Sequence, residues 1–335
     1  MLPRSRRRGV ALSLSLSVLL SACSAPGASP SAAPATTPPA PSLEGSPSAA
    51  PAAFPLTIVD DDGTSVEIAA EPQAIVSLTP ATTEILFRIG AGPRVVATTD
   101  FDDYPPEAVT LPDVASYTSV DVEKIVGLEA DLVIAGGNSF NDPTAIARLR
   151  ELGVPVVVTY APDIATVLAD IELVGRAVGR AEAARDLTAA MRADFDQVAV
   201  ATADLTRPRV FYELDATTDL YTAADDSFIA EMIELAGGDP ITTGSKTDFA
   251  ISIEKLVTAD PEVIVLGDSV YGVTAEAVAA RPGWDVMTAV KNGDIRGVND
   301  LVVTRPGPRL VEGLRELALA IHPEANVPSP APVAP

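Results

Sequence analysis

Two stretches of this chain repeat one another 131 residues apart. Val120-Asp-Val-Glu-Lys-Ile-Val runs on into Glu129-Ala-Asp-Leu-Val-Ile-Ala135, and Ile251-Ser-Ile-Glu-Lys-Leu-Val into Asp260-Pro-Glu-Val-Ile-Val-Leu266. Each copy reads as a short helix feeding a buried strand, with an acid, Glu123 or Glu254, in the first helical turn. The offset is too long for a stacked solenoid. It predicts two similar lobes, each presenting one carboxylate at a matching place. A plainer origin stays open, since helix–strand units recur in any α/β domain and an acid in a first turn is favoured by the helix dipole.

The rest of the chain fills in an α/β pattern. Leu56-Thr-Ile-Val and Thr64-Ser-Val-Glu-Ile68 flank Asp60-Asp-Asp-Gly63, which predicts a hairpin. Ala74-Ile-Val-Ser-Leu78 reads as a buried strand, and Thr79-Pro80 as an N-cap followed by proline at the first helical position. Apolar strands alternating with helices indicate a parallel sheet covered on both faces. A helix over 163–178 is followed by one over 181–203, with Leu187, Met191, Phe195 and Val198 on one face. At 1.5 Å per residue the second is roughly 35 Å long, a stiff spine between two halves. The expected division is a leader (1–22), a linker (23–55), an N-terminal lobe (56–180), the interlobe helix (181–203), a C-terminal lobe (204–322) and a Pro-rich tail (323–335).

Arg4, Arg6, Arg7 and Arg8 precede an apolar stretch, Gly9 to Leu20, too short to span a membrane as a mature helix. It ends in Leu20-Ser-Ala-Cys23, which resembles a bacterial lipobox; Ser5-Arg-Arg-Arg has some likeness to a twin-arginine signal, so the export route stays open. Cys23 is the only cysteine in the chain and is expected to carry a lipid, leaving no disulfide or thiolate site. The Ala, Pro, Ser and Thr of the linker cannot bury a core and suit a stalk. The expected location is the outer face of the cytoplasmic membrane, held by lipid alone. The formal net charge is −23, and loss of the four leader arginines makes it −27. So acidic a protein is not expected to favour nucleic acid or an anionic membrane surface.

Four segments together resemble the class III periplasmic substrate-binding proteins of bacterial ABC importers, which serve vitamin B12, ferric siderophores and haem. They are Ser77-Leu-Thr-Pro-Ala-Thr-Thr-Glu-Ile85, Asp103-Tyr-Pro-Pro-Glu-Ala108, the two Glu-containing units, and Arg281-Pro-Gly-Trp284 with Ala289-Val-Lys-Asn-Gly293. The resemblance implies an α/β fold of two Rossmann-like lobes joined by a single long rigid helix, with the ligand in a cleft between them. It also implies a monomer that docks on a permease–ATPase pair through Glu123 and Glu254.

Tyr104-Pro-Pro, and Tyr117 six residues before the first Glu, resemble the B12-binding members. A corrin has a flat face and a rim of neutral amides, so its site needs aromatic walls and hydrogen-bonding groups rather than strong charge. The expected ligand-binding residues are Tyr104, Tyr117, Tyr221, Phe249, Asn138 and Asp300; Thr79, Thr82, Ser139, Asp225, Asn299 and Tyr271 are further cleft candidates. Trianionic catecholate chelates need basic residues, and only Lys246 and Arg305 are at hand. Neutral hydroxamate chelates and haem stay open. One histidine, His322, cannot build a zinc site, and no resident metal or cofactor is expected. The chain has no G-x-S-x-G, P-loop or HExxH motif, so an enzyme is not expected. A surface signalling or adhesion lipoprotein is the remaining class.

Overall fold

The computed structural model describes residues 54–329. The leader, Cys23, most of the linker and the end of the tail lie outside them. The chain opens with an antiparallel hairpin, β1 (Leu56–Val59) and β2 (Ser65–Ile68). Its turn closes as Asp60 Oδ1 accepts the Thr64 N–H at 2.8 Å, with Gly63 in the left-handed region at φ 76°. Asp60 Oδ2 then accepts from Arg150 and from the Val158 N–H, fastening the hairpin to the first lobe.

That lobe is built on β3 (Ile75–Ser77), β4 (Val95–Thr99), β5 (Asp113–Ser116), β6 (Ser119–Val120), β7 (Leu132–Gly136) and β8 (Val156–Thr159). They form one sheet in the order β6-β5-β4-β3-β7-β8, parallel except for β6. The second lobe holds β9 (Arg209–Glu213), β10 (Asp239–Pro240), β11 (Val263–Leu266) and β12 (Ile295–Gly297), all parallel, in the order β10-β9-β11-β12.

The repeat is structural. Helices Val122–Gly127 and Ile253–Ala259 are capped by Asp121 and Ser252 and bury the equivalent residues Ile125 and Leu256. Both leave through a non-glycine residue in the left-handed region, Glu129 at φ 54° and Asp260 at φ 47°. They then feed β7 and β11, strands interior to their sheets.

Helix Ala181–Thr202 follows helix Ile164–Ala177 and precedes β9. Its face of Leu187, Met191, Phe195 and Val198 is buried, as the spacing predicts. This face belongs to one continuous core that also takes Ile75, Leu132 and Ile134 from the first sheet and Val210, Val263 and Val265 from the second. A second cluster backs the other face of the first sheet, and a third, around Phe211, Leu256 and Trp284, backs the second. Because the central core is shared, separating the lobes would expose apolar surface, so large hinge motions are opposed. Trp284 packs edge-on to Phe211 under the Arg281 guanidinium, and buried His322 bonds the Gly237 carbonyl; both residues are structural.

Candidate ligand-binding site

Parallel sheets place ligands beyond the carboxyl ends of their strands. Here five first-sheet strands deliver residues to one cavity of about 470 Å³. Thr79 follows β3, Phe101 follows β4, Tyr117 follows β5, Gly136 to Phe140 continue β7, and Thr159 to Ala161 continue β8. The second lobe contributes Phe228, Tyr271 after β11, and Asp300, Leu301 and Thr304 to Pro306 after β12.

The walls are aromatic. Phe101 stacks on Tyr117 with centroids 4.2 Å apart and meets Phe140 edge-on at 6.2 Å. Tyr117 and Tyr271 stand at the rim, one from each lobe, at 75 and 73 % exposure. The floor is backbone-close. A Cβ on Gly136 would lie 2.9 Å from both Phe140 and Thr79, so glycine lets the loop fold inward. Asn138 and Ser139 are both in the left-handed region, at φ 51° and 62°. Buried Asn141 holds this loop, accepting the Gly136 N–H at 2.7 Å and donating to the Leu78 carbonyl at 3.1 Å. Strain of this kind concentrates at ligand sites. Thr79 both caps helix Pro80–Arg88 and lines the cavity.

Of the expected ligand residues, the cavity gathers Tyr117, Asn138 and Asp300, together with Thr79, Thr82, Ser139, Tyr271 and Arg305. Tyr104, Tyr221, Phe249, Asp225 and Asn299 are not in its lining; Asp225 accepts the Gly244 N–H and Asn299 caps helix Asp300–Val303. Tyr104 instead lies against the Arg309 guanidinium, 4.4 Å from ring centroid to carbon. Tyr221 forms backbone bridges with Asp215 and Ala250, and the Phe249 carbonyl accepts the Thr222 N–H. Lys246 is exposed and paired with Asp226. Phe101, Phe140, Tyr160 and Phe228 were not singled out by motif, though the strand-end rule finds the first three. Glu123 and Glu254 are exposed, each in the first turn of its helix.

Charge at the cavity is largely cancelled. Among the described residues Arg305 is the one basic side chain in the lining. Arg305 pairs with Asp103 through both terminal nitrogens and reaches Glu84 at 3.5 Å. Glu84 is itself gripped by Arg309 at 2.6 and 3.0 Å. Glu84 and Asp103 belong to the first lobe, Arg305 and Arg309 to the second, so the cluster ties the lobes together. Burial pushes Glu84 up, against hydrogen bonds and charges from the two arginines that pull it down. Asp300 is raised by burial, with bonds from Tyr212 and Thr304 opposing. Asp170 is pushed up to about 9 by burial, by its bond to Asp61 and by the charges of Asp61 and Asp163. It therefore faces the cavity as a neutral acid at pH 7.

A two-lobed α/β scaffold with strand ends facing one aromatic-walled cavity defines a ligand-binding protein of the bilobed type. A family model described as periplasmic binding protein matches residues 75–300, and the chain belongs to that family. It is 34 % identical to the ABC transporter substrate-binding lipoprotein YvrC of Bacillus subtilis, covering 80 % of this chain and 86 % of that one. It is 32 % identical to the cobalamin-binding protein of Halobacterium salinarum, over 85 % of this chain and 79 % of the relative. The crystal structure of the vitamin B12 binding protein BtuF of Vibrio cholerae superposes with a TM-score of 0.65 at 26 % identity, covering 75 % of this chain and 97 % of that one.

Proposed function

We propose that this protein is the lipid-anchored substrate-binding component of an ABC importer, that it captures cobalamin or a related corrinoid, and that it performs no chemistry on it. The observation that carries the ligand class is the charge balance of the cavity: aromatic walls, one arginine already neutralised, and a protonated Asp170. A neutral, amide-rimmed macrocycle suits such a site, and a trianionic chelate does not. The cobalamin-binding relative supports the same reading.

Calorimetric titration of the full-length protein with cyanocobalamin, ferrichrome, ferric enterobactin and haemin tests this. Tight one-to-one binding of cyanocobalamin is expected, with Tyr117→Ala weakening it about tenfold through loss of the stacked wall. Preference for haemin or for an iron chelate would overturn the corrinoid assignment and leave the importer role standing.

Cys23 as lipid attachment site and Glu123 and Glu254 as permease contacts complete the proposal. Exposed ion pairs contribute only about 0–1 kcal/mol each, so they govern orientation and capture more than affinity. Glu123→Ala and Glu254→Ala are therefore expected to leave the titration unchanged and to slow corrinoid uptake in cells, the double variant most. Full uptake by the double variant would remove these acids from the docking role, and no uptake through the wild type would favour a signalling or adhesion protein.

A further inference from the structure

We infer that Asp103 is a specificity-determining residue: by occupying the cavity's one guanidinium, that of Arg305, it makes the site reject anionic chelates in favour of neutral ones. This rests on the neutral-ligand function proposed above.

The geometry separates Asp103 from the other acid of the cluster. Glu84 is buried and committed to Arg309 by two short bonds, and it meets Arg305 only at 3.5 Å. Asp103 engages both terminal nitrogens of Arg305, Nη2 at 3.2 Å and Nη1 more closely. The Arg305 side chain is only 16 % exposed, whereas that of Asp103 is 43 % exposed. Arg305 lines the cavity, and Asp103 sits just outside it, two residues beyond the wall residue Phe101. An incoming carboxylate or catecholate has to displace Asp103 from the guanidinium or meet it as a like charge, and either event costs binding energy. A neutral amide asks for neither. Loss of the Asp103 charge frees the fork of Arg305, whose bidentate geometry fits planar anions. It strands no buried charge, because Arg305 keeps Glu84 at 3.5 Å.

The test is Asp103→Asn in the full-length protein, titrated with two neutral ligands, cyanocobalamin and ferrichrome, and two anionic ones, haemin and ferric enterobactin. The variant is expected to gain about tenfold in affinity for the anions while the neutral ligands change less than about twofold. The gain should shrink as salt is raised, because it is electrostatic. Adding Arg305→Met should abolish it. Absence of a gain, an equal gain for neutral ligands, or a gain that survives Arg305→Met would each overturn the assignment. The wild-type ranking reads the functional proposal separately: a wild type that prefers anions refutes that proposal, while the change in anion-to-neutral ratio still judges Asp103. If no chelate binds either form, both fall.

Discussion

Replacing Glu84 by alanine is expected to destabilise the protein by about 3–5 kcal/mol, the usual consequence of removing one partner from a buried ion pair. Glu84 is 2 % exposed and accepts from Arg309 Nε and Nη2 in a fork at 3.0 and 2.6 Å. Without it Arg309 is left with the Tyr104 ring face, Asp103 at 3.9 Å and the charge of Glu312. Neither replaces two charge-assisted bonds at a site this poorly hydrated. Urea unfolding followed by far-ultraviolet dichroism measures the loss, as a lower midpoint at unchanged slope. The double variant Glu84→Ala, Arg309→Met should recover part of it, because no unpaired charge is left behind. A loss below about 1 kcal/mol would mean that the pair behaves as a solvated surface contact. The cluster joins residues from both lobes, so the same variant should broaden the distribution of interlobe distances in spin-label measurements.

Periodicity and local chemistry carried the fold because those signals are local. The 131-residue repeat, the Thr79-Pro80 cap and the Leu187-Met191-Phe195-Val198 face each report contacts within a few residues, and each is present in the structure. The site was legible only in part. Tyr117, Asn138 and Asp300 reach the cavity because they follow strand ends, a position that topology fixes. Tyr104 lay in an equally suggestive motif, but its ring is claimed by Arg309, more than 200 residues away in the chain. Glu84 reads in the sequence as an ordinary helix acid, and its partner Arg309 lies 225 residues further on. Pairings of that range depend on how two lobes meet, and no window of sequence contains them. Asp170 is the same case: it sits in an amphipathic helix, and its character is set by burial and by Asp61 from the opening hairpin.

Asp170→Asn is expected to stabilise the protein at neutral pH, by up to about 4 kcal/mol. Asp170 is 5 % exposed, lines the cavity, and has Asp61 as its neighbour. Burial and that neighbour raise it from 3.8 to about 9. The folded protein therefore keeps a proton that the unfolded chain releases near pH 4. Whatever stability the neutral acid contributes is complete below pH 4 and is lost steadily as the pH rises toward 9. Between pH 4 and pH 7 the loss reaches about 4 kcal/mol. Asparagine presents an N–H to Asp61 in place of the acid proton and cannot ionise, so the variant escapes the loss. The difference in unfolding free energy between variant and wild type should be near zero at pH 4, grow through pH 7 and level off above pH 9. A flat difference would show that Asp170 ionises normally and that water reaches it in the cavity. Such a site persists in a protein at a cost to stability when the cavity benefits from a neutral polar group there. Asp170→Asn should accordingly retain ligand affinity, and Asp170→Leu, equally free of charge but without a polar atom, should lose it.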